Sequence, residues 1–196
     1  MINFERCYDR SDEDLQRFLI FCICVAGKNA KAVDANVCRF LAPCARMNKT
    51  PFDYLRHMIE TRTLWPMMMD ARLGKYRVLK RTFRYLAELA DDLDLRSCAV
   101  EELELVPGIG PKTARFFLLY TRKDFKGAAL DTHVLQHLAA CGFEKVPKQT
   151  PQSPKVYRKW EQVVLELAER EGVDPAEYDN QIWKSRSPSA ELGVSP

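Results

Sequence analysis

The chain has 196 residues, which is long enough to bury a sizeable core as one domain or as two small lobes. Its 46% apolar and 29% charged content is ordinary for a globular protein. The net charge of only +3 excludes an argument for nucleic-acid binding from overall charge. The basic residues are nevertheless uneven, and several crowd one segment: Arg72, Lys75, Arg77, Lys80, Arg81 and Arg84. Such a run forms either a local basic surface or a solvated helix face.

The sequence also argues against a membrane or secreted protein and against a metal-binding protein. No stretch approaches the ~20 apolar residues that a membrane span needs, and the N-terminus has no signal-peptide pattern. The seven cysteines have irregular spacing and form no Cys-x-x-Cys pair. They are typical of reduced, mostly buried thiols in a cytoplasmic protein, so we expect no metal or iron–sulfur site and no other cofactor. The lack of a long apolar stretch predicts no membrane association.

Apolar residues recur at helical spacing along nearly the whole chain, and no run alternates as a strand would. A capping box at Ser11–Asp14 opens the first predicted helix, and Thr50–Asp53 begins a later one with a cap, a proline and an acid. Gly142 and Gly172 are expected to end helices, and Asp174–Glu177 to start the last one. The sequence therefore predicts an all-α fold of nine or ten short helices.

The most informative segment is Leu105–Ala114, with the sequence Leu-Val-Pro-Gly-Ile-Gly-Pro-Lys-Thr-Ala. Gly108 and Gly110 are expected to adopt backbone conformations closed to other residues, so that a tight turn presents its amides outward. The positive end of the following helix favours an anion there. Lys112 opposes that helix dipole and needs a phosphate or a carboxylate as a partner. The alternative is a plain interhelical turn with no ligand.

Asp131 follows Lys112 in the sequence Leu-Asp-Thr-His. One interpretation makes it the cap of a helix that begins at Thr132. The other gives it a chemical role beside Lys112, where a carboxylate orients the amine and accepts a proton. Such a carboxylate also stabilises positive charge on a sugar ring while a glycosidic bond breaks.

These two segments resemble the helix-hairpin-helix motif and the following aspartate loop of the endonuclease III-like DNA glycosylase superfamily, in residue type, order and separation. The resemblance implies that Lys112 attacks the anomeric carbon of deoxyribose and that Asp131 is the essential carboxylate. A lysine here is similar to the bifunctional members, which form a Schiff base and cut the strand by β-elimination. The resemblance also implies a set of DNA-binding residues: Val106, Gly108, Gly110 and Thr113.

Endonuclease III itself ends in a four-cysteine iron–sulfur loop, whereas no cysteine follows Cys141 in this chain. The chain therefore looks more like the compact archaeal-type 8-oxoguanine glycosylases. By that resemblance Trp183 stacks on the flipped base and Asp179 accepts hydrogen bonds from its edge. Asn29 (or Lys28) and Trp65 are the further pocket residues that the resemblance implies.

Each pocket residue also has an alternative interpretation. Trp183 anchors the last helix in the core, Trp65 is a core residue, and Asp179 is an exposed helix acid. For the functional interpretation, an aromatic pocket with polar groups aimed at the base edge recovers the few kcal/mol of stacking lost when a base is flipped.

For the domain organisation, the resemblance implies two helical lobes with the active site in the cleft between them. We expect one glycosylase domain over residues 1–184, with the helix-hairpin-helix motif at 103–122. A central lobe covers about 45–140, and the second lobe combines 1–44 with 141–184. A disordered tail is expected over 185–196.

The resulting hypothesis is a monomeric, nucleoid-associated enzyme that binds double-stranded DNA containing a damaged or modified base. It excises 8-oxoguanine and then cleaves the abasic site. Two alternatives remain open: a glycosylase for an oxidised pyrimidine or a hypermodified phage base, and a non-catalytic helix-hairpin-helix DNA-binding protein.

Overall fold

The computed structural model describes residues 6–186, which form eleven α-helices and no strand. The chain divides into two units, one ending at Arg122 and the other starting at Lys123. The first unit contains α1 (Asp12–Val25), α2 (Ala30–Leu41), α3 (Pro43–Arg46), α4 (Pro51–Glu60), α5 (Leu64–Asp70), α6 (Tyr76–Glu88), α7 (Val100–Leu105) and α8 (Pro111–Thr121). The second contains α9 (Thr132–Ala140), α10 (Pro154–Glu171) and α11 (Pro175–Arg186). The predicted all-α class is confirmed.

The helix boundaries agree with the capping patterns in the sequence. Ser11 Oγ accepts the Asp14 amide at 3.1 Å, and Thr50 Oγ1 accepts the Asp53 amide at 3.2 Å. Asp174 Oδ1 does the same for the Glu177 amide at 2.8 Å. Gly142 and Gly172 lie just beyond helix ends with φ of +87° and +70°, the left-handed region that glycine enters without a steric penalty.

The first unit is built around α1, which packs against α2, α4 and α8. Its second half is buried on every side, because eight of its residues from Leu15 to Cys24 are inaccessible to solvent. The ring centroid of Phe18 lies 6.1 Å from those of Phe21, Phe116 and Phe117. This aromatic cluster fixes α8 against α1, and α6 packs on α4 and α5 in the same unit.

The second unit has a separate core, in which α10 and α11 supply Tyr157, Trp160, Tyr178 and Ile182. Leu138 of α9 packs into the same cluster. All seven cysteines of the chain are free thiols. Within the described residues, no helix combines the length and apolarity that crossing a membrane requires.

The predicted lobe boundaries (45–140, and 1–44 with 141–184) stay a prediction. Helix α11 extends to Arg186, two residues into the segment expected to be a tail, and residues 187–196 lie outside the described part. The count of eleven exceeds the expected nine or ten because α3 has four residues and α5 seven. Helices this short show too few turns for a periodic apolar stripe.

Replacing Thr50 by alanine removes the cap of α4 and is expected to lower the free energy of unfolding by about 1 kcal/mol. Thr63 precedes α5 without capping it through its side chain, so Thr63→Ala is the matched control and should stay within about 0.5 kcal/mol of the wild type. Urea unfolding measures both changes. Equal losses in the two variants would contradict the capping role.

Candidate active site

The hairpin turn (residues 106–110) joins α7 to α8 through its own backbone hydrogen bonds. The Val106 amide donates to Leu103 O at 3.1 Å, and the Ile109 amide donates to Val106 O at 3.0 Å. Gly110 then accepts the Ala114 amide at 3.1 Å and begins α8. The turn is therefore closed from within, and the Val106 amide is already used by α7.

The two glycines of the hairpin turn differ in what they contribute. Gly108 has φ +92°, and a Cβ added to it would lie 2.5 Å from Thr82 Oγ1 and 3.2 Å from Val78 Cγ1. Gly110 has φ −97°, an extended conformation that any residue adopts, and a Cβ there would meet nothing within 4 Å. The expectation that both glycines need a restricted conformation is thus correct for Gly108 and wrong for Gly110. The space beside Gly110 is open, so a bound group can approach its backbone.

Helix α6 lies directly against this turn. Thr82 Oγ1 is 2.5 Å from Pro107 O and 3.0 Å from Val78 O, so its single proton is donated to one of two nearby carbonyls. Thr82 was not identified from the sequence, since a threonine on an otherwise apolar helix face carries no pattern that points to a hairpin 25 residues away.

The outward-facing atoms of the turn suit an anion. Within residues 6–186, the amides of Gly108, Gly110 and Thr113 have no hydrogen-bond partner. The Thr113 side chain is buried, so only its amide is available at the start of α8. Two apolar side chains flank the turn in an exposed position, Leu105 at 71% and Val78 at 51% accessibility. Free amides at a helix start favour a phosphate.

Lys112 is the second residue of α8 and is half-buried. Its charge acts on Cys22 of α1, the helix against which α8 packs. Burial raises the pKa of the Cys22 thiol well above its ordinary value, and the positive charges of Arg10 and Lys112 oppose that effect in part. The buried Cys22 thiol, which stays neutral, is therefore close enough to Lys112 for the charge of the amine to act on it.

Asp131 is the N-cap of α9, so the capping interpretation is confirmed. Its Oδ1 accepts the amides of His133 at 2.8 Å and Val134 at 3.0 Å. These two bonds orient a half-buried carboxylate. Capping uses one carboxylate oxygen and is compatible with a chemical role, which stays a prediction.

The segment before Asp131 is fastened to α10 by side chains that sequence reasoning missed. The Tyr157 hydroxyl accepts the Leu130 amide at 3.0 Å and donates to Ala128 O at 2.8 Å. Thr150 Oγ1 donates to Leu130 O at 2.7 Å. Because Leu130 is fully buried, these bonds satisfy backbone groups that water cannot reach and hold the chain entering Asp131 in one conformation.

The solvent accessibility of Trp183 and Asp179, the two base-pocket candidates on α11, contradicts their alternative interpretations. Trp183 is 47% accessible and does not belong to the core that Tyr178 and Ile182 of the same helix enter. Asp179 is only 9% accessible, so it is not an exposed helix acid. The alternative interpretations of these two residues are therefore wrong, and their base-binding roles stay a prediction.

The base-pocket candidates of the first unit, Asn29 (or Lys28) and Trp65, differ in their exposure and in their contacts. Asn29 is exposed, and its Oδ1 accepts the Ala32 amide at 3.1 Å as the cap of α2. The neighbouring Lys28 donates from Nζ to Leu73 O, and burial lowers its pKa. Trp65 is 40% accessible, so its assignment to the core is wrong. Its ring contacts α6 at Tyr76, with a centroid distance of 5.8 Å.

Gly108→Ala is expected to cost at least about 1–2 kcal/mol of stability, because the added methyl group is strained at positive φ and collides with Thr82. Gly110→Ala meets open space and should cost less than about 1 kcal/mol. Urea unfolding of the two variants compares them directly. A smaller loss for Gly108→Ala than for Gly110→Ala would contradict this difference between the glycines.

Tyr157→Phe leaves the Leu130 amide and the Ala128 carbonyl buried without their partner, and it is expected to cost about 1–3 kcal/mol. Hydrogen exchange at the Leu130 amide should accelerate. The matched control is Tyr178→Phe, which removes a hydroxyl bonded to His137 at 2.9 Å in the same unit. Faster exchange at Leu130 in the control as well would show a general loss of stability instead of a local one.

Comparison with known proteins places the fold. A sequence model of the 8-oxoguanine DNA glycosylase family matches residues 1–173. The 8-oxoguanine DNA glycosylase of Thermotoga maritima is 22% identical, with a TM-score of 0.68 over 91% of this chain and 82% of its own. That of Methanocaldococcus jannaschii is 20% identical, with a TM-score of 0.66 over 91% and 80%.

A third similar structure is the Methanocaldococcus jannaschii 8-oxoguanine glycosylase/lyase in complex with a 15-mer DNA containing 8-oxoguanine. It is 24% identical and has a TM-score of 0.58 over 91% of this chain and 83% of its own. At these identities the structures establish the likeness of fold, while the family match spans most of the sequence. The chain belongs to the 8-oxoguanine DNA glycosylase family.

Proposed function

We propose that this enzyme removes 8-oxoguanine from double-stranded DNA and then cleaves the abasic site, with Lys112 as the nucleophile. The observation that carries the proposal is the hairpin turn, whose Gly108 and Gly110 amides have no partner within residues 6–186 and lead into the helix that carries Lys112. A phosphate bound to those amides brings the DNA strand to the start of α8.

The reaction begins with the amine of Lys112 attacking C1′ of the damaged nucleotide through its nitrogen lone pair. The C1′–N9 bond breaks, and its electron pair leaves with the base, which takes up a proton. Opening of the sugar ring then forms an iminium between C1′ and Nζ. Loss of a proton from C2′ expels the 3′ phosphate by β-elimination, and water hydrolyses the imine to release the enzyme.

Asp131 is proposed to stabilise the positive charge that develops on the sugar as the base leaves, and to accept the proton from the attacking amine. The support is its fixed orientation. Two backbone amides hold Oδ1, and Tyr157 and Thr150 hold the residue before it. A carboxylate oriented in advance loses little entropy when the transition state forms.

For the base, we propose that Trp183 stacks on the extruded 8-oxoguanine and Asp179 accepts hydrogen bonds from its edge, with Asn29 and Trp65 as further pocket residues. The half-exposed indole and the buried carboxylate support the first two roles. The similarity to the Methanocaldococcus jannaschii glycosylase/lyase, which was solved with 8-oxoguanine DNA, supports the substrate and the lyase step. We further propose that the enzyme acts as a monomer associated with the nucleoid.

Incubating the wild type with an 8-oxoguanine duplex and borohydride should give a covalent protein–DNA complex, because borohydride reduces the iminium to a stable amine. Lys112→Gln has no amine to form the imine, so the trapped complex should vanish while DNA binding persists. Lys123→Gln, which removes an exposed lysine just after α8, is the control and should trap like the wild type. Trapping that survives Lys112→Gln would overturn the assignment of the nucleophile.

Asp131→Asn separates an enzyme from a simple DNA-binding protein. Asparagine caps a helix as well as aspartate does, so the fold should be kept. Loss of the carboxylate should slow single-turnover excision by about 10²–10⁴-fold. A panel of duplexes with 8-oxoguanine, oxidised pyrimidines and hypermodified bases measures the substrate preference. Unchanged excision in Asp131→Asn would refute the role of the carboxylate, and wild type that binds DNA without cleaving it would establish the binding protein instead.

A further inference from the structure

A basic groove runs along the solvent side of α6, outside the residues assigned so far to catalysis. It consists of two adjoining cavities of about 490 and 250 Å³, which share Lys80 and Arg84 as lining residues. Pro107 of the hairpin turn lines the larger cavity, and Trp65 lines the smaller one. The groove therefore extends from the turn across α6 to α5.

The charge of this groove is strongly one-sided. Its basic side chains are Arg62, Arg77, Lys80, Arg81 and Arg84, and its one acidic side chain is Glu88. None of these six forms an ion pair with another described residue. Some arginines elsewhere are paired, such as Arg56 with Asp91 at 2.8 Å and Arg96 with Asp12 at 2.6 Å. Five positive charges gathered in one groove with a single negative charge repel each other, and a polyanion offsets that cost.

The dimensions of the groove fit a nucleic-acid strand. From Arg77 to Arg84, α6 advances by about 10 Å at 1.5 Å per residue. Each strand of a B-DNA duplex advances about 3.4 Å per phosphate along the duplex axis, so a duplex lying parallel to α6 would place about three phosphates of one strand over this length. Trp65 is 40% accessible, and its ring centroid lies 5.7 Å from Lys80 Nζ at the edge of the groove.

The groove is continuous with the turn that offers amides to a phosphate. Thr82 of α6 lies within hydrogen-bonding distance of Pro107 O, and Pro107 lines the larger cavity together with the basic residues of α6. We propose that the α6 groove binds the sugar–phosphate backbone of duplex DNA beyond the phosphate held by the hairpin turn. The proposal rests on the proposed function, since it takes the substrate to be DNA.

The test is the double variant Arg81→Gln/Arg84→Gln. Both side chains are exposed, so the fold should be kept. The matched control is Lys155→Gln/Arg158→Gln, an exposed pair of the same charge and the same spacing on α10. For each protein, the affinity for an 8-oxoguanine duplex is measured by fluorescence anisotropy over a range of salt concentrations.

We expect the affinity of the groove variant for the duplex to fall at least about tenfold. In a plot of log affinity against log salt concentration, its slope should be less steep by about 2, because each lost phosphate contact reduces the slope by ~0.9. The control should match the wild type. A groove variant with wild-type affinity and slope would overturn the proposal, and so would a control with an equal loss.

The experiment also separates the groove from the chemistry. Borohydride trapping of the wild type tests the proposed function, whereas the salt slope tests the groove alone. If trapping succeeds and the slope does not change, the groove does not hold DNA and its charge serves an acidic partner of another kind, which refutes this proposal while the proposed function stands.

Discussion

The close approach of α6 to the hairpin turn is the constraint on which this region of the first unit depends. It requires Gly108, because any side chain there would occupy the position of Thr82 Oγ1. In return, the Thr82 hydroxyl holds the turn through Pro107 O at 2.5 Å. The Gly108 and Gly110 amides have no partner within residues 6–186. The same contact places the basic side of α6 next to the turn, so one packing interaction links the two features for which we propose contacts with DNA.

A comparable constraint operates in the second unit, where the residue of interest lies at the start of a helix. Asp131 caps α9, and Tyr157 and Thr150 satisfy the backbone just before it. The carboxylate thus owes its orientation to the core of α9, α10 and α11. These hydrogen bonds satisfy buried backbone and hold the carboxylate that we propose to act on the sugar, and Tyr157 and Thr150 lie far from it in the sequence.

The helix boundaries and the class of fold could be predicted from the sequence because they depend on neighbouring residues. The features that were missed depend on tertiary contacts. Caps such as Thr50 and stops such as Gly172 depend on a few neighbouring residues, so their patterns were sufficient. Thr82 and Tyr157 act on backbone 25 and 27 residues away, which no local pattern records. Gly110 was misjudged because its conformation depends on the start of α8. The exposure of Trp65 and Trp183 runs against their hydropathy and was implied by family resemblance alone.

Leu105 and Val78, which flank the hairpin turn, have a consequence for the thermodynamics of recognition. Both side chains are more than half accessible although they are apolar. A DNA strand seated on the turn removes them from water, and burial of apolar surface lowers the heat capacity of the system. Phosphate contacts weaken as counterions are added, whereas this apolar contact does not. The recognition that we propose at the turn would therefore combine a salt-sensitive component with a salt-resistant one, and calorimetry at several temperatures and salt concentrations distinguishes the two.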